Sequence, residues 1–341
     1  MTMRIVLDAM GSDTHPGPEV AAALQAAATW GDPILLAGPE EVLQPMLRAA
    51  GAAPGSVRVI HAPEVLEMTD KPADAARGKA RSSMAVGMEL LKTGEADAFV
   101  TAGNTGGAMA NALFRVGRIR GVKRPALTGT FPVRNGQAIL LDIGANADVR
   151  PEFLVQFAIF GSLYAETVLG RPMPRVGLLS NGEESGKGNE LVKEAYPLLA
   201  NAGLNFVGNI EPKEFYAGKA DVVVTDGFTG NVLLKTSEAV ASFLISMIRE
   251  QIKSGLTTSV GGLLAKPAFK RVGAILDPGE YGAAPLLGID GLVFVGHGRS
   301  DARALVSAIR VARQAVAGGL LPAMRQEIRR RLTSGIAEDV E

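Results

Sequence analysis

Short apolar stretches alternate with helical ones along almost the whole of this 341-residue chain. Most of the apolar stretches are rich in Val, Ile and Leu without strict alternation, which is typical of strands covered on both faces. Helices are predicted between many of them, for example over Gly17–Ala28, Glu40–Ala49, Ser83–Lys92 and Glu152–Leu169. This order predicts an α/β fold with a mostly parallel sheet. The predicted strands are Ile5–Asp8, Pro33–Ala37, Val57–Ile60, Ala98–Thr101, Leu127–Phe131, Gln137–Asp142, Arg175–Ser180, Phe206–Ile210, Asp221–Thr225 and Leu292–Gly296.

One short signature occurs twice. The first copy covers Ala96–Gly107 and the second covers Ala220–Asn231. Each has the pattern of an apolar strand, a Thr-x-Gly-x-Thr-Gly turn and a helix. Glycines in such a turn let the backbone approach a ligand, and the helix behind them presents unpaired N–H groups and a partial positive charge. The two turns predict a phosphate or oxyanion site built from two sides, although ordinary strand–helix turns share the pattern.

The candidate phosphate ligands come from both copies and from one further turn. Neither copy matches the P-loop or the glycine fingerprint of dinucleotide sites, so nucleotide binding is not specifically indicated. The candidate phosphate-binding residues are Gly103, Asn104, Thr105, Gly106, Gly107, Asn189, Thr229 and Gly230.

Six polar, glycine-rich turns follow predicted strands. Ligands of open parallel sheets bind outside the carboxyl ends of the strands, so we expect these turns to form one polar cleft. They are Asp8–Asp13, Thr101–Gly107, Asp142–Asn146, Ser180–Asn189, Asp226–Asn231 and Gly296–Ser300.

The candidate catalytic residues are Lys187, Asn231, His297 and Asp226. Lys187 lies between two glycines and is either a point charge for phosphate or a solvated loop lysine. His297 is the histidine that lies in a glycine-rich turn, and it is a candidate general acid–base or a structural hydrogen-bonding residue. Asn231 is a candidate oxyanion donor. Asp226 replaces an alanine of the first copy, and we expect it to orient Lys187 or His297.

Composition narrows the function classes. The formal net charge is zero, which argues against a nucleic-acid binder. The chain has no cysteine, so disulfides, thiolate metal sites and thiol nucleophiles are excluded, and its three histidines make a histidine-built zinc site a poor hypothesis. Asp8 and Asp13 are candidate magnesium ligands, but loop hydrogen bonding or helix capping is the favoured interpretation. We expect no signal peptide and no transmembrane helix, and therefore an intracellular protein.

The stretch from Ser237 to Leu276 has a different character. Apolar residues repeat at helical spacing before a turn at Ser254-Gly255, and a second apolar patch with glycines and cations follows. We interpret this stretch as a helical hairpin inserted into one α/β domain that spans residues 1–341. Its apolar residues can be buried in a dimer, or its tip, Ser254–Val272, can contact a membrane surface.

Seven motifs together resemble those of the bacterial phosphate acyltransferase family of phospholipid synthesis. They cover almost the whole chain in the family's order, and one departure is Ser12, where that family usually has a second glycine. The motifs are Leu7–Asp13, Thr101–Gly106, Leu141–Asn146, Lys187–Leu191, Gly208–Pro212, Thr225–Asn231 and Gly296–Asp301.

The resemblance implies more than the motifs themselves indicate. It implies the fold of isocitrate and isopropylmalate dehydrogenases, a homodimer, and a cytoplasmic protein that associates peripherally with the membrane surface through the helical hairpin. The implied reaction transfers a long-chain acyl group from acyl carrier protein to inorganic phosphate. A membrane-bound glycerol-3-phosphate acyltransferase would then use the acyl phosphate.

Direct attack of phosphate on the thioester carbonyl is the simplest mechanism, and it needs no cofactor and no metal. The signature turns and Lys187 would bind phosphate, Asn104, Asn231 or loop N–H groups would stabilise the oxyanion, and His297 or Lys187 would protonate the thiolate of the carrier's phosphopantetheine. One alternative is a decarboxylating dehydrogenase of the same fold that depends on NAD and a metal. Another is a non-enzymatic module that binds the carrier protein. Candidate contacts for the acidic carrier are Lys79, Arg81, Lys123 and Arg124.

Overall fold

The computed structural model describes residues 2–134, 136–276 and 278–333. The strands are β1 Ile5–Asp8, β2 Ile34–Gly38, β3 Val57–His61, β4 Ala98–Thr101, β5 Ala126–Val133, β6 Gly136–Leu141, β7 Val176–Leu179, β8 Phe206–Ile210, β9 Val222–Val224, β10 Ala284–Leu287 and β11 Val293–Val295. The helices are α1 Gly17–Trp30, α2 Glu40–Ala49, α3 Pro72–Gly78, α4 Ser83–Lys92, α5 Thr105–Asn111, α6 Pro151–Thr167, α7 Glu190–Ala200, α8 Pro212–Ala217, α9 Gly227–Lys253, α10 Leu256–Leu276, α11 Pro278–Tyr281, α12 Ala302–Ala317 and α13 Leu320–Thr333.

The strands form one largely parallel sheet in the order β3-β2-β1-β4-β11-β10-β5-β6-β9-β7-β8. The first five strands of this order are parallel to one another, and so are the last four. Between these two groups, β10 is antiparallel to both β11 and β5, and β5 is antiparallel to β6. The two parallel groups therefore run in opposite directions.

The carboxyl ends of the two groups meet across β10. Ala284 of β10 pairs with Val295, the last residue of β11, and Leu286 pairs with Leu127 of β5. The residue after Leu127 pairs with Leu141, the last residue of β6. Val295 is level with Ala284, and Leu141 is level with Pro285, so the two sets of carboxyl ends are offset by one residue, about 3.4 Å, along the strand direction. The expectation of a single shared edge was wrong in this respect, because the turns come from two opposed edges that face each other.

The core lies on both faces of the sheet, as expected for strands without strict polar alternation. Ile5 and Leu7 of β1 belong to one buried cluster, which includes residues of α1, α6, α12 and α13. Val6 belongs to a second cluster on the opposite face, with residues of α4 and of the segment around Phe215. Successive residues of one strand are buried on opposite faces, which is the arrangement of a three-layer α/β fold.

Helices α9 and α10 lie mostly outside these clusters. Gly227 and Gly230 are the buried residues of α9, and no residue of α10 is buried. We call Ser237–Leu276 the arm; its first residue lies inside α9, which begins at Gly227. Among the described residues, α9 is the one helix that meets the length and composition criterion for a membrane span by itself, and α12 with α13 meet it only together, across a bend of 50°. The exposed apolar side chains of the arm are Val240, Phe243, Leu244, Met247, Ile248, Leu256, Val260, Leu263, Leu264, Phe269, Val272, Ile275 and Leu276.

The doubled signature has the same ion pair at the start of each copy. Asp97 accepts hydrogen bonds from the backbone N–H and the guanidinium of Arg4, at the start of β1. Asp221 accepts the same set from Arg175, at the start of β7, and a further one from Arg171 at 2.6 Å. Burial alone would raise the pKa of Asp221, but these hydrogen bonds outweigh it and lower the pKa to about 2.

We predict that Asp221→Asn lowers the free energy of unfolding by about 1–2 kcal/mol at neutral pH. This value is smaller than the full pKa shift would give, because solvent screens the partly exposed Arg175 side chain. The folded-state pKa lies below the unfolded-state value of about 4, so the contribution is complete above that pH and is lost as the pH falls toward 2. Urea unfolding at a series of pH values measures both effects.

The matched control is Asp290→Asn, because Asp290 pairs with Arg325 at the surface, where both side chains are largely exposed. Its loss should be below about 0.5 kcal/mol. Equal losses in the two variants, or an Asp221 effect that persists unchanged into acid, would contradict the assignment.

Candidate active site

The turn after β1 is folded around a buried carboxylate. Asp8 accepts hydrogen bonds from Thr101 Oγ1 at 2.7 Å and from the backbone N–H of Met10 at 3.1 Å. Burial raises the pKa of Asp8, and hydrogen bonds from Ser83 and Thr101 oppose that shift. The carboxylate thus ties β1 to β4 and fixes the start of the first signature turn, which is a structural role.

A second buried carboxylate, Asp142, organises the turn after β6. It accepts hydrogen bonds from the backbone N–H groups of Leu127, Gly144, Ala145 and Asn146, at distances of 2.7 to 3.1 Å. Burial raises the pKa of Asp142, and the hydrogen bonds from Ala145 and its neighbours oppose the shift. Because Leu127 belongs to β5, this carboxylate holds the turn against the junction between the two strand groups.

Asn104 of the first signature copy is a helix cap. Its Oδ1 accepts a hydrogen bond from the backbone N–H of Gly107 at 2.9 Å. Its Nδ2 donates to the carbonyl oxygens of Met68 and Asp70, at 3.0 and 3.3 Å. Both amide hydrogens are engaged, so this geometry does not support Asn104 as an oxyanion donor.

Asp226 of the second copy is also a helix cap, two positions earlier in the signature than Asn104. It accepts hydrogen bonds at 2.7 Å from the backbone N–H and from the hydroxyl of Thr229. Within the described residues, no hydrogen bond joins Asp226 to Lys187 or His297. The structure therefore gives no contact by which Asp226 would orient either side chain. The earlier cap makes α9 begin earlier than α5 does relative to the repeat.

Several predicted phosphate-binding glycines serve close packing. A Cβ added at Gly106 would lie 2.7 Å from Pro72 of α3, and one added at Gly107 would meet a leucine side chain at 2.8 Å. At Gly230 a Cβ would lie 1.9 Å from the backbone oxygen of Asp142. The second signature turn therefore packs directly on the Asp142 turn, and only glycine fits there.

These turns surround a cavity of about 580 Å³. The first strand group contributes residues from the turns after β1, β4 and β11. The second group contributes the turn after β6 and the first turns of α9, and β5 lies between them. Five of the six predicted turns line the cavity. The polar lining residues are Asp13, Thr105, Thr128, Thr130, Asn231, Lys235, Glu238, Tyr281, His297 and Arg299.

Four of the predicted site residues meet in this cavity: Gly103, Thr105, Asn231 and His297. Gly106 lines an adjoining recess of about 110 Å³, which shares Thr105 with the main cavity. The two signature copies, which are more than a hundred residues apart in sequence, thus contribute to one site.

Lys187 and Asn189 lie outside this lining. Lys187 is exposed on the turn between β7 and α7. Asn189 caps α7 by accepting a hydrogen bond from the backbone N–H of Val192 at 3.0 Å. Strand β9 lies between β6 and β7 in the sheet. The turn after β7, Ser180–Asn189, is therefore too far from the junction to join the single cleft that the sequence predicted.

The His297 turn is braced by backbone hydrogen bonds. The carbonyl oxygen of His297 accepts from the backbone N–H and hydroxyl of Ser300, and the backbone N–H of Asp13 donates to Gly298 O at 2.8 Å. His297 Nδ1 accepts a long hydrogen bond from the backbone N–H of Arg299 at 3.4 Å. In a neutral ring with this pattern the proton is on Nε2, which leaves Nε2–H as a donor.

Five polar residues of the cavity were missed at the level of sequence: Thr128, Thr130, Lys235, Glu238 and Tyr281. Lys235 and Glu238 lie one and two turns beyond Asn231 on α9, and their spacing of four and seven residues was the available signal. Thr128 is fully buried at the start of β5. Its hydroxyl has no hydrogen-bond partner among the residues that the structure describes. Its position on a strand, rather than in a turn, gave no sequence signal.

The arm is attached to the cavity at both ends. Asn231 lines the cavity from α9 before the arm begins, and Glu238 lines it from the first turn of the arm. After α10, the chain returns through α11, and Tyr281–Ala284 line the same cavity. The site and the arm are therefore parts of one continuous segment.

Solved structures with the same fold include a phosphotransacetylase from Streptococcus pyogenes, with a TM-score of 0.62 and 16% identity over 93% of this chain and 94% of that one. A branched-chain phosphotransacylase from Enterococcus faecalis aligns with a TM-score of 0.58 and 14% identity, over 92% of this chain and 99% of that one. At these identities the likeness establishes the fold.

Sequence relatives are much closer. A protein named phosphate acyltransferase from Pelotomaculum thermopropionicum is 48% identical over 96% of this chain and 95% of its own length. A phosphate acyltransferase from Thermus thermophilus is 49% identical over 96% of this chain and 98% of its own length. One from Elusimicrobium minutum is 46% identical over 96% of both chains. A family model described as "Fatty acid synthesis protein" matches residues 3–321. With near-complete coverage by the family model and by these relatives, the chain belongs to the fatty acid synthesis protein family, alongside proteins named phosphate acyltransferase.

Proposed function

We propose that this protein is an acyltransferase that moves a long-chain acyl group from acyl carrier protein to inorganic phosphate. Its relatives carry the name phosphate acyltransferase, and the family is one of fatty acid synthesis. The observation that carries the proposal is the convergence of both signature copies on one polar cavity, through Gly103 and Thr105 on one side and Asn231 on the other. The proposed product is acyl phosphate, for use in phospholipid synthesis.

The reaction needs one bond exchange. An oxygen of inorganic phosphate attacks the thioester carbonyl, and a tetrahedral oxyanion forms. When it collapses, the C–O bond remains, the C–S bond breaks with its electron pair, and the thiolate of the carrier's prosthetic group takes up a proton. Phosphate is already anionic at neutral pH, so the protein's tasks are to orient it, to stabilise the oxyanion and to supply that proton.

The geometry favours direct roles for the candidate residues that line the cavity over those that lie outside it. Asn231 lies in the cavity and is the proposed oxyanion donor, and Thr105 with Gly103 offers a hydroxyl and a close backbone for phosphate. His297 is the proposed proton carrier: the neutral imidazole takes up the proton that hydrogen phosphate loses on attack and, as the imidazolium, donates it to the thiolate. We retain Lys187 as a candidate that acts from the neighbouring turn. The remaining candidates, Asn104, Gly106, Gly107, Asn189, Asp226, Thr229 and Gly230, are proposed to shape the turns.

A metal- and NAD-dependent dehydrogenase is the rival enzyme class. That chemistry needs a cluster of metal-binding side chains, and the described residues contain no group of three or more His, Asp or Glu side chains arranged for a metal. A non-enzymatic carrier-binding module is the rival outside enzymology. Acyl phosphate formation from acyl carrier protein and phosphate, assayed without added metal or NAD, separates the three proposals.

We also propose the domain organisation, the oligomeric state and the partners of the protein. We propose a single domain over residues 1–341 of the isocitrate and isopropylmalate dehydrogenase type, with the arm as an insert that supports a homodimer. Acyl carrier protein is the proposed donor partner, and a membrane-bound glycerol-3-phosphate acyltransferase the proposed recipient of product. Among the candidate carrier contacts, Lys79 already pairs with Asp70 at 2.5 Å, which leaves Arg81, Lys123 and Arg124 as the better candidates.

The proposed location is the cytoplasm, with peripheral attachment to the membrane surface. The tip of the arm supports this, because Leu263 and Leu264 are 69% and 78% exposed. A groove of about 520 Å³ between α9 and α10 is lined mainly by apolar side chains such as Leu244 and Phe269. An acyl chain could follow this groove toward the membrane without crossing water.

Asn231→Ala should lower kcat about 100- to 1000-fold, the loss typical of a missing oxyanion donor. The release of free thiol from acyl carrier protein measures it. Asn205→Ala, an exposed amide before β8, is the control and should keep normal turnover. Normal turnover of folded Asn231→Ala protein would remove Asn231 from the mechanism.

Lys187→Ala tests the lysine that lies outside the cavity. If Lys187 reaches the reacting groups during turnover, the variant should lose at least about tenfold in kcat, since a charge-assisted contact would be missing. Lys193→Met on neighbouring α7 is the exposed control. Near-normal turnover in folded Lys187→Ala protein would restrict the site to the cavity lining.

The arm proposal predicts that the double variant Leu263→Ser/Leu264→Ser loses binding to phosphatidylglycerol vesicles by at least about tenfold, because two leucine side chains contribute about 1.5–3 kcal/mol each when buried. Activity on soluble acyl carrier protein should be retained. The control replaces two exposed apolar residues elsewhere, Met173→Ser/Leu198→Ser, and co-sedimentation with vesicles is the measurement. Unchanged co-sedimentation of the arm variant would reject membrane contact at the tip.

A further inference from the structure

The charged side chains of the cavity balance one another. Lys235 and Arg299 are positive, and Asp13 and Glu238 are negative, so the lining carries no formal net charge when His297 is neutral. A phosphate anion that enters this cavity therefore needs one of these two cations, and a cation that is already paired must have a partner that phosphate can displace.

Lys235 meets that condition. Its Nζ lies 2.9 Å from Glu238 Oε2, and the two side chains are 55% and 31% exposed. A hydrated pair at this i,i+3 spacing stabilises a helix by only about 0–1 kcal/mol. An anion with several acceptor oxygens can take over the ammonium at little cost, whereas a deeply buried pair would not release it.

The position of Lys235 on α9 gives the ammonium a specific neighbour. Asn231, Lys235 and Glu238 share one face of the helix, and Asn231 is about 6 Å below Lys235 along the axis. Asn231 itself is packed beside the turn after β6, where a Cβ at Gly144 would lie 3.7 Å from Asn231 Cγ. The amide and the ammonium therefore flank the same part of the cavity, at a spacing that suits two ligands of one phosphate and its developing oxyanion.

We propose that Lys235 binds the inorganic phosphate that attacks the thioester, and that Glu238 is the counter-ion that holds the ammonium in the cavity until phosphate displaces it. This rests on the proposed acyl transfer to phosphate and adds a binding residue to it. The phosphodiester of the carrier's prosthetic group has similar chemistry, so the test separates the two sources by varying phosphate and acyl carrier protein independently.

The test compares Lys235→Met, which removes the charge but keeps the length, with Lys235→Arg, which keeps the charge. Lys235→Met should raise KM for phosphate at least about tenfold, as expected for a lost charge-assisted contact, with a smaller change in kcat and an unchanged KM for acyl carrier protein. Lys235→Arg should recover most of the loss. A second readout needs no turnover: phosphate should raise the Tm of the wild-type protein and should fail to do so for Lys235→Met.

Two controls make the result specific. Lys253→Met is the same substitution on the same helix, about 27 Å further along, and should leave KM for phosphate unchanged. Glu238→Gln releases the ammonium and should lower KM for phosphate.

The inference is overturned, but the function is not, if the wild-type enzyme makes acyl phosphate and Lys235→Met has a normal KM for phosphate and a normal phosphate-dependent Tm. A change in KM for acyl carrier protein alone assigns Lys235 to the carrier's phosphodiester and also overturns it. Absence of acyl phosphate with wild-type protein overturns the proposed function itself.

Discussion

The antiparallel strand β10 is the constraint on which the candidate site depends. In a fully parallel sheet every carboxyl end lies at one edge, and turns on distant strands cannot face each other. Here β10 and β5 reverse the direction of the sheet between two parallel groups, so the ends of β11 and β6 are offset by only one residue along the strand direction. The buried carboxylate of Asp142 then holds both the turn after β6 and the N–H of Leu127, which keeps the two edges in register.

The doubled signature explains why two dissimilar turns can build one site. Both copies start alike, with Asp97 on Arg4 and Asp221 on Arg175. They differ at the carboxyl end because their neighbours differ: β4 lies between β1 and β11, whereas β9 lies between β7 and β6. The second turn packs against its neighbour without space for a Cβ at Gly230, and its helix is capped earlier. Because α9 begins earlier, Asn231 lies within its first turns, on the face of the helix that lines the cavity.

Sequence reasoning predicted ten of the eleven strands and the turn before α10, because apolar runs and glycine turns are local signals. It missed β10, since Pro285 within a four-residue strand is a local signal against a strand, and only pairing with Phe294 on β11 makes it one. It assigned Asn104 to a ligand because a free amide and a capping amide look alike in sequence. It overlooked Lys235 because a lysine in a helix is usually a solvated residue, and only the tertiary fold shows that its turn of α9 faces the cavity.

The continuity of α9 connects the polar chemistry to the apolar surface. Its first turns present the amide of Asn231 and the ion pair of Lys235 with Glu238 to the cavity, and its later turns present Phe243 and Leu244 to solvent. An acyl phosphate has the same polarity, with an anionic head and an apolar chain. A single long helix, with a rise of about 1.5 Å per residue, can therefore run beside both ends of such a product. Because an exposed apolar helix costs free energy in water, the proposed dimer partner, membrane surface and acyl chain would each stabilise the arm by covering part of it.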